Sequence, residues 1–296
     1  MPIQMTHGRI TALAVGVPFA LALIGWSSYD FVSLAGQASY PIARAIPVHG
    51  AGLTATVAGT DLTLRQGGAG TPELTGTVHY SLFKPRLTVT QAGAGTDVNF
   101  QCRNLSGTCG LDATLQLPAR IGVTLSTEGG NISVPDFSGS AELLSEGGDV
   151  TAGSLSGTVQ VRTDGGNVVV NSLSGAINLQ TSGGDLTAHT VAGGSLRATT
   201  DGGNMDVQMM ADPVATIDSS GGDVTLTFTQ VPRNLQISTD GGNVRVVLPP
   251  GSTAYDIQAS TGGGNLSIGP SVTDRGDAKN SLVLDSNGGD ITVTQG

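Results

Sequence analysis

The chain has 296 residues, of which 45 are glycine, whereas only 12% are charged and 4% are aromatic. Its formal net charge is −10, and its two lysines, Lys84 and Lys279, lie far apart in the sequence. The concentrated basic face that nucleic-acid binding requires is therefore missing. Because glycine disfavours helices while Val, Ile and Thr favour strands, this composition predicts an all-β fold of short strands and tight turns.

The N-terminus contains an apolar run without charge at residues 10–26, which extends to residue 35 if Asp30 lies at the membrane interface. We expect residues 10–35 to form a transmembrane helix, with residues 1–9 in the cytoplasm because Arg9 precedes the run. A cleaved signal peptide ending near residues 36–38 is the alternative. The first interpretation predicts a single-pass protein of the cell membrane, with the rest of the chain on its extracytoplasmic side.

Residues 36–118 are less regular and are expected to form an irregular β capping region. Two segments, 53–68 and 79–91, have the alternation of hairpin-forming strands. Cys102 and Cys109 are the only cysteines. An exported location favours a disulfide between them, since a metal site would need further Cys or His ligands nearby.

The remaining chain, residues 119–296, repeats a Gly-Gly pair followed by Asn or Asp. The spacing of successive pairs grows from 18 to 25 residues, and apolar residues stand one and three positions after each Asn or Asp. This alternation is typical of a strand with one buried face, and the period is typical of stacked repeats. We therefore predict a single-stranded β-helix (β-solenoid) of about nine coils of 18–25 residues. The nine residues expected to form a structural turn ladder are Asn131, Asp149, Asn167, Asp185, Asn204, Asp223, Asn243, Asn265 and Asp290.

Three local features accompany each repeat. The Gly-Gly pair is expected to adopt positive φ at a tight corner. A serine or threonine always stands two positions before the pair. Asn and Asp alternate over the first seven repeats, which would keep like charges two coils apart. We interpret the ladder as structural, with its charges spread along one edge.

Two kinds of chemistry are alternatives to a structural ladder. Calcium could bind the carboxylates, because 18 residues is twice the nine-residue period of calcium-binding repeats, although the second turn, often Leu-Ser-Gly, carries no acid. A polysaccharide-cleaving enzyme would need paired carboxylates with helper residues, and the repeats contain one histidine, His189, and one tyrosine, Tyr255. The sequence predicts a non-enzymatic protein without catalytic residues, cofactors or metals.

The repeated S/T-x-G-G-[ND]-[IV]-x-V units follow the segment LQLPARIGVTLSTEGG at 115–130 and an N-terminal apolar segment. With these features the chain resembles the bacterial putative-adhesin domain family of unknown function, over residues 100–296. The resemblance implies a toast-rack-like, single-stranded β-solenoid on the outer side of a bacterial membrane. It supplies no catalytic motif.

We therefore expect an extracytoplasmic, membrane-anchored, adhesin-like interaction domain. The alternatives are a sensor or accessory protein of a cell-envelope stress pathway and a polysaccharide-acting enzyme. The expected partner is an envelope polymer or a protein. The chain stops three residues after Val293, so the last coil is expected to leave an open strand edge for self-association.

Overall fold

The structure is a computed structural model that describes residues 37–48, 52–59, 61–67, 70–81, 83–92, 95–102, 109–119, 121–209 and 214–296. The expected cytoplasmic residues 1–9 and the expected transmembrane segment 10–35 lie outside these ranges. Among the described residues, no helix has the length and apolar character needed to cross a bilayer. Regular structure in the described ranges consists of strands, so the fold is all-β as expected.

Twenty-two strands follow one another along the described chain. They are β1 (Gln37–Ala45), β2 (Gly52–Val57), β3 (Leu62–Gln66), β4 (Glu73–Ser81), β5 (Arg86–Ala92), β6 (Gly95–Gln101), β7 (Cys109–Leu117), β8 (Gly122–Thr127), β9 (Ile132–Ser145), β10 (Val150–Thr163), β11 (Val168–Thr181), β12 (Leu186–Thr200), β13 (Met205–Met209), β14 (Val214–Ser219), β15 (Val224–Phe228), β16 (Asn234–Thr239), β17 (Val244–Leu248), β18 (Ala254–Thr261), β19 (Leu266–Ile268), β20 (Thr273–Asp274), β21 (Ser281–Ser286) and β22 (Ile291–Gln295).

Strands β9 to β12 pair in parallel, each with the strand one repeat later. Val150 of β10, for example, is in register with Ile132 of β9 and Val168 of β11. The paired strands form successive layers, which together we call the stack. The Gly-Gly turn divides each layer into a strand before it and a strand after it. We call the two resulting columns of strands the pre-turn column and the post-turn column.

The core is a set of aliphatic rows between the two columns. In β10, Val150, Ala152, Leu155, Val159 and Val161 are each at most 1% exposed, while the residues between them are polar or glycine. The expected period-2 alternation is therefore present in the structure. At roughly 25 cal/mol per Å² of buried apolar surface, these rows supply the main stabilising term of the stack.

The order of layers in space departs from the order of repeats in the sequence at the C-terminal end. Strand β21 lies between β16 and β18, and β22 lies between β17 and β19. The coil at 281–295 is therefore enclosed by the coils at 234–248 and 254–268. The expectation that the last coil in the sequence leaves the open edge is wrong, because both of its strands are paired on both sides.

The same rearrangement occurs at the other end. Strand β2 lies between β6 and β8, while β3 lies between β7 and β9. Beyond β6 and β7, the stack continues with antiparallel strands β5, β4 and β1. The segments expected to form hairpins are strands. Strand β5 pairs antiparallel with β6, the strand that follows it, as expected for a hairpin, whereas β2 and β3 pair in parallel with later strands. A disulfide joins Cys102, after β6, to Cys109, in β7.

Candidate functional site

The predicted turn ladder forms one continuous line along an edge of the stack. The backbone N–H of each member donates to the side-chain Oδ1 of the member in the layer before it, at 2.7–3.0 Å. In spatial order the members are Asp61, Asn131, Asp149, Asn167, Asp185, Asn204, Asp223, Asn243, Asp290 and Asn265. The ladder therefore has a single direction, from the Asp61 layer to the Asn265 layer.

Asp and Asn alternate without exception in this spatial order. The alternation fails in the sequence between Asn243 and Asn265, but the coil carrying Asp290 lies between those two layers. Sequence reasoning missed Asp61, which is followed by Leu62 and Leu64 at the spacing seen after the other ladder residues. That spacing was the signal that could have identified it, although no Gly-Gly pair precedes it.

A second line of polar groups lies inside the turn. Thr163 Oγ1 accepts a hydrogen bond from the N–H of Gly166 at 3.1 Å. The same hydroxyl donates to the carbonyl of Gly148, in the neighbouring layer, at 2.9 Å. The Ser and Thr residues two positions before each Gly-Gly pair are at most 5% exposed, except in the outermost layer. This explains the hydroxyl in every repeat, because a buried N–H and a buried carbonyl would otherwise lack partners.

The second glycine of a stacked Gly-Gly pair is needed for space and not for backbone conformation. A Cβ on Gly166 would overlap the backbone of Gly148 in the next layer, whereas one on Gly165 would make ordinary contacts. Positive φ angles occur instead at the second turn, for example 113° at Gly157 and 112° at Gly175. The expectation of positive φ in the Gly-Gly pair is therefore wrong.

The carboxylates of the ladder do not converge. Each is separated from the next by an Asn layer, and its Oδ1 already accepts a backbone N–H. In the described ranges, no group of three or more His, Cys, Asp or Glu side chains could hold a metal ion. The ladder side chains therefore form hydrogen bonds to the backbone of the neighbouring layer. They are not arranged as the several converging oxygen ligands that calcium takes.

A groove lies on the outward side of the pre-turn column. Its volume is about 420 Å³, and four layers line it with the polar residues Ser140, Glu142, Thr158, Gln160, Asn178 and Ser195 and with the apolar residues Ala141, Val159, Ala176 and Ile177. The row of Glu142, Gln160 and Asn178 continues in register through Arg197. Further along the same column, a second groove of about 240 Å³ is lined by Thr216, Asn234, Gln236 and Ser281 and by the apolar residues Val214, Ala215, Leu235 and Val283. One face of the stack thus carries two grooves in line, each with a mixed polar and apolar lining.

An aromatic and basic cluster lies at the β1 end of the stack. The Tyr40 and Tyr80 rings meet edge to face with centroids 6.0 Å apart, and Lys84 Nζ lies 4.6 Å from the Tyr40 centroid. Phe83 is 42% exposed and follows Ser81, which pairs with Gln37, the first described residue. This cluster therefore lies near Gln37, which follows the N-terminal apolar segment in the sequence.

Near the opposite end, Tyr255 of β18 is fully buried, and its hydroxyl has no hydrogen-bond partner in the described part of the chain. Burial raises the pKa of the Tyr255 phenol above its usual range. A buried hydroxyl without a partner destabilises the fold, which makes this residue a sensitive reporter for the outer layers.

No family model matches the sequence, and no curated protein matches it significantly. Among solved structures, the chain is similar to a "putative adhesin" from Bacteroides fragilis, at 11% identity over 86% of this chain and 97% of that one, with a TM-score of 0.47. A "putative adhesin" from Parabacteroides merdae is 12% identical over 87% and 96% of the two chains, with a TM-score of 0.40. Another from Parabacteroides distasonis is 14% identical over 88% and 97%, with a TM-score of 0.34.

Proposed function

We propose that this protein is an exported β-solenoid that acts by adhesin-like binding, not by catalysis. Residues 10–35 hold it in the cell membrane as a single-pass helix, and the stack lies on the extracytoplasmic side. Its ligand is an uncharged, hydroxyl-rich envelope polymer that lies along the two grooves. The observation that carries this proposal is the in-register pair of amides, Gln160 and Asn178, with the hydroxyls of Thr158 and Ser195 beside them on the pre-turn column.

The parallel register supports the solenoid. Each layer repeats the contacts of the one before it, and the turn ladder links ten layers in one direction. Neighbouring layers lie about 4.8 Å apart. A polymer lying along the stack therefore meets the outward side chains of a new layer at each such step.

The chemistry of the grooves favours a neutral polymer. Gln160 and Asn178 each offer two donors and one acceptor oxygen, and the hydroxyl of Thr158 can act as either. Few charges lie nearby. Glu142 lines the groove, and the charge of Arg197 is offset by Asp218, with which it pairs at 2.7 Å. Hydrogen bonds, and not net charge, would therefore provide the attraction.

The composition of the groove supports binding over cleavage. Glycoside hydrolysis generally requires two carboxyl groups on opposite sides of the bond that breaks. Among the described residues that line the larger groove, Glu142 is the only acid. A polymer held there would be bound without a partner carboxylate to complete the reaction.

The cluster at the β1 end supports the membrane orientation. Aromatic side chains and lysine are favoured at the headgroup level of a bilayer. Tyr40, Tyr80, Phe83 and Lys84 lie together beside Gln37, directly after the apolar segment. The β1 end therefore faces the membrane in this proposal, and the β18 end points away from it.

Co-sedimentation of the full chain in detergent with cell-wall and polysaccharide fractions tests this proposal at low and high salt. Saturable binding should persist at high salt, and the double variant Gln160→Ala, Asn178→Ala should weaken it about tenfold or more. The matched control is Thr151→Ala, Thr187→Ala, in the post-turn column of the same part of the stack. If the folded protein bound none of the fractions, this result would contradict polymer binding and favour the envelope-stress sensor.

A further inference from the structure

Within the described ranges, the layer that ends the stack has strand edges without partners. Strand β18 pairs with β21, and on its other side the described pairs are those of Ala254 and Tyr255 with the short strand β20. Strand β19 pairs with β22 alone in the described structure. The outer edges of 257–261 and of β19 are therefore open. We call residues 254–268 the tip.

The tip also exposes core positions. Ile257, Ala259, Leu266 and Ile268 are in register with Leu282, Leu284, Ile291 and Val293 of the layer beneath. Those four lower residues are at most 1% exposed. Leu266, by contrast, is 47% exposed, and the other three tip residues are partly exposed. The tip thus exposes apolar side chains at positions that are buried in the layer beneath.

The backbone groups of the tip alternate in direction. The N–H of Asp256 donates to Asn280, beside the enclosed coil, whereas the N–H of Ile257 points outward and donates to the Asp274 carboxylate at 3.1 Å. By the same alternation the N–H of Ala259 points outward. Asp274 therefore blocks the first part of this edge, and the part around Ala259 is left open.

The tip and the turn edge of the stack differ in charge. The tip and its adjoining loop contain Asp256, Asp274 and Asp277 against Arg275 and Lys279, a net of −3 + 2 = −1. The turn edge instead presents a ladder carboxylate in every second layer along its whole length. Side-by-side contact through that edge would bring two rows of like charges together, whereas each tip contains both acidic and basic residues and has a net charge of only −1.

We propose that two copies of this chain associate tip to tip about a two-fold axis. A two-fold axis brings identical surfaces together and sets the open edges antiparallel, which is a normal strand pairing. Each copy contributes unpaired edge groups and the exposed Leu266 to the same interface. Burial of that side chain and pairing of the edges both favour association.

This geometry has a consequence that rests on the membrane anchor of the proposed function. The post-turn column, extended through β4 to β1, is thirteen strands deep, or about 60 Å at 4.8 Å per strand. The two N-terminal segments would lie at opposite ends of a tip-to-tip pair. Such a pair would join molecules anchored in two facing membranes, with this chain as its own partner.

The test is analytical ultracentrifugation of the full chain in detergent, over a concentration series to about 100 μM. We expect a reversible dimer whose dissociation constant rises about tenfold or more in Leu266→Asp, because the substitution places a charge in the apolar contact. Ala259→Pro should have the same effect by removing an outward N–H. Val214→Asp is the matched control, since Val214 is 51% exposed on β14, away from the tip.

A wild-type chain that remains monomeric at every concentration of the series would overturn tip-to-tip pairing. It is also overturned by a dimer that persists in both tip variants, because association would then run through the N-terminal segment or another surface. A dimer weakened equally by Val214→Asp counts against it as well. Loss of polymer binding in the groove variants leaves this result unchanged, so the two proposals fail independently.

Discussion

The backbone N–H of Asp290 donates to Oδ1 of Asn243, 47 residues earlier in the chain, at 2.9 Å. On its other side, Asp290 accepts the N–H of Asn265 at 2.7 Å. Two asparagines that are neighbours in the repeat order are thus separated in space by an aspartate. The inserted coil completes the alternation, and throughout the ladder no two carboxylates occupy adjacent layers, about 4.8 Å apart.

The first prediction concerns this separation of charge. Asn167→Asp would place three carboxylates in consecutive layers, at 149, 167 and 185, and would remove the side-chain N–H that donates to Asp149. Two like-charge contacts at this distance should lower the free energy of unfolding by about 1–2 kcal/mol at low salt. Urea unfolding in about 0.05 M and about 1 M NaCl measures the loss, which should shrink at high salt because the charges are screened.

Asn178→Asp is the matched control for the ladder prediction. It makes the same change of charge on β11, the strand that follows Asn167, but its neighbours in register are Gln160 and Arg197. Equal destabilisation of both variants, or a loss in Asn167→Asp that is independent of salt, would show that charge separation is not what the alternation provides.

The second prediction concerns the buried hydroxyls. Thr163→Val keeps the shape of the side chain but leaves the N–H of Gly166 and the carbonyl of Gly148 without their partner. Each unsatisfied buried group costs about 1–3 kcal/mol, so the urea midpoint should fall clearly. Thr151→Val, on the exposed face of the same strand, should leave it nearly unchanged, and an equal fall in the two variants would contradict the proposed role.

The third prediction separates the two glycines of one turn. Gly166→Ala forces a Cβ into the backbone of the neighbouring layer and should lower the free energy of unfolding by about 3 kcal/mol or more, or prevent folding. Gly165→Ala meets only ordinary contacts and should fold with a small change. Circular dichroism and urea unfolding of the pair provide the comparison, and equal tolerance of both alanines would refute the close approach.

The sequence was sufficient to predict the local features of the fold. Alternation such as Val150, Thr151, Ala152 depends on which side of a strand faces the core, and the structure buries the first and third of these residues. The positions of the Gly-Gly turns and of the ladder residues follow from the same repeat. These features depend on neighbours within one coil, so they can be inferred from one coil at a time.

The order of the layers could not be predicted in the same way. Ile237 of β16 is in register with Leu284, although Ala259 of the following repeat would fit the same apolar row. Side-chain burial therefore hardly distinguishes the two orders, and both orders keep the ladder carboxylates out of adjacent layers. The grooves were equally unforeseen, because outward residues follow no repeat pattern and are brought together by the register between layers.

The last prediction uses Tyr255 to test how the outer layers are packed. Its buried hydroxyl lacks a partner among the described residues, so Tyr255→Phe should leave the free energy of unfolding equal or higher at neutral pH. Burial raises the pKa of Tyr255 in the folded state. The wild type should therefore lose stability as the pH rises above about 10, the ordinary tyrosine value, because the unfolded chain ionises first.

Tyr255→Phe should remove that part of the alkaline loss, since no proton can then leave at this position. Urea unfolding at about pH 7 and about pH 11 measures the difference between the two proteins. Tyr80→Phe, at the half-buried ring near the β1 end, is the control for the loss of one tyrosine. A Tyr255→Phe variant that is less stable at neutral pH would mean that the hydroxyl has a partner in the folded protein, and that the layer formed by β18 is packed differently.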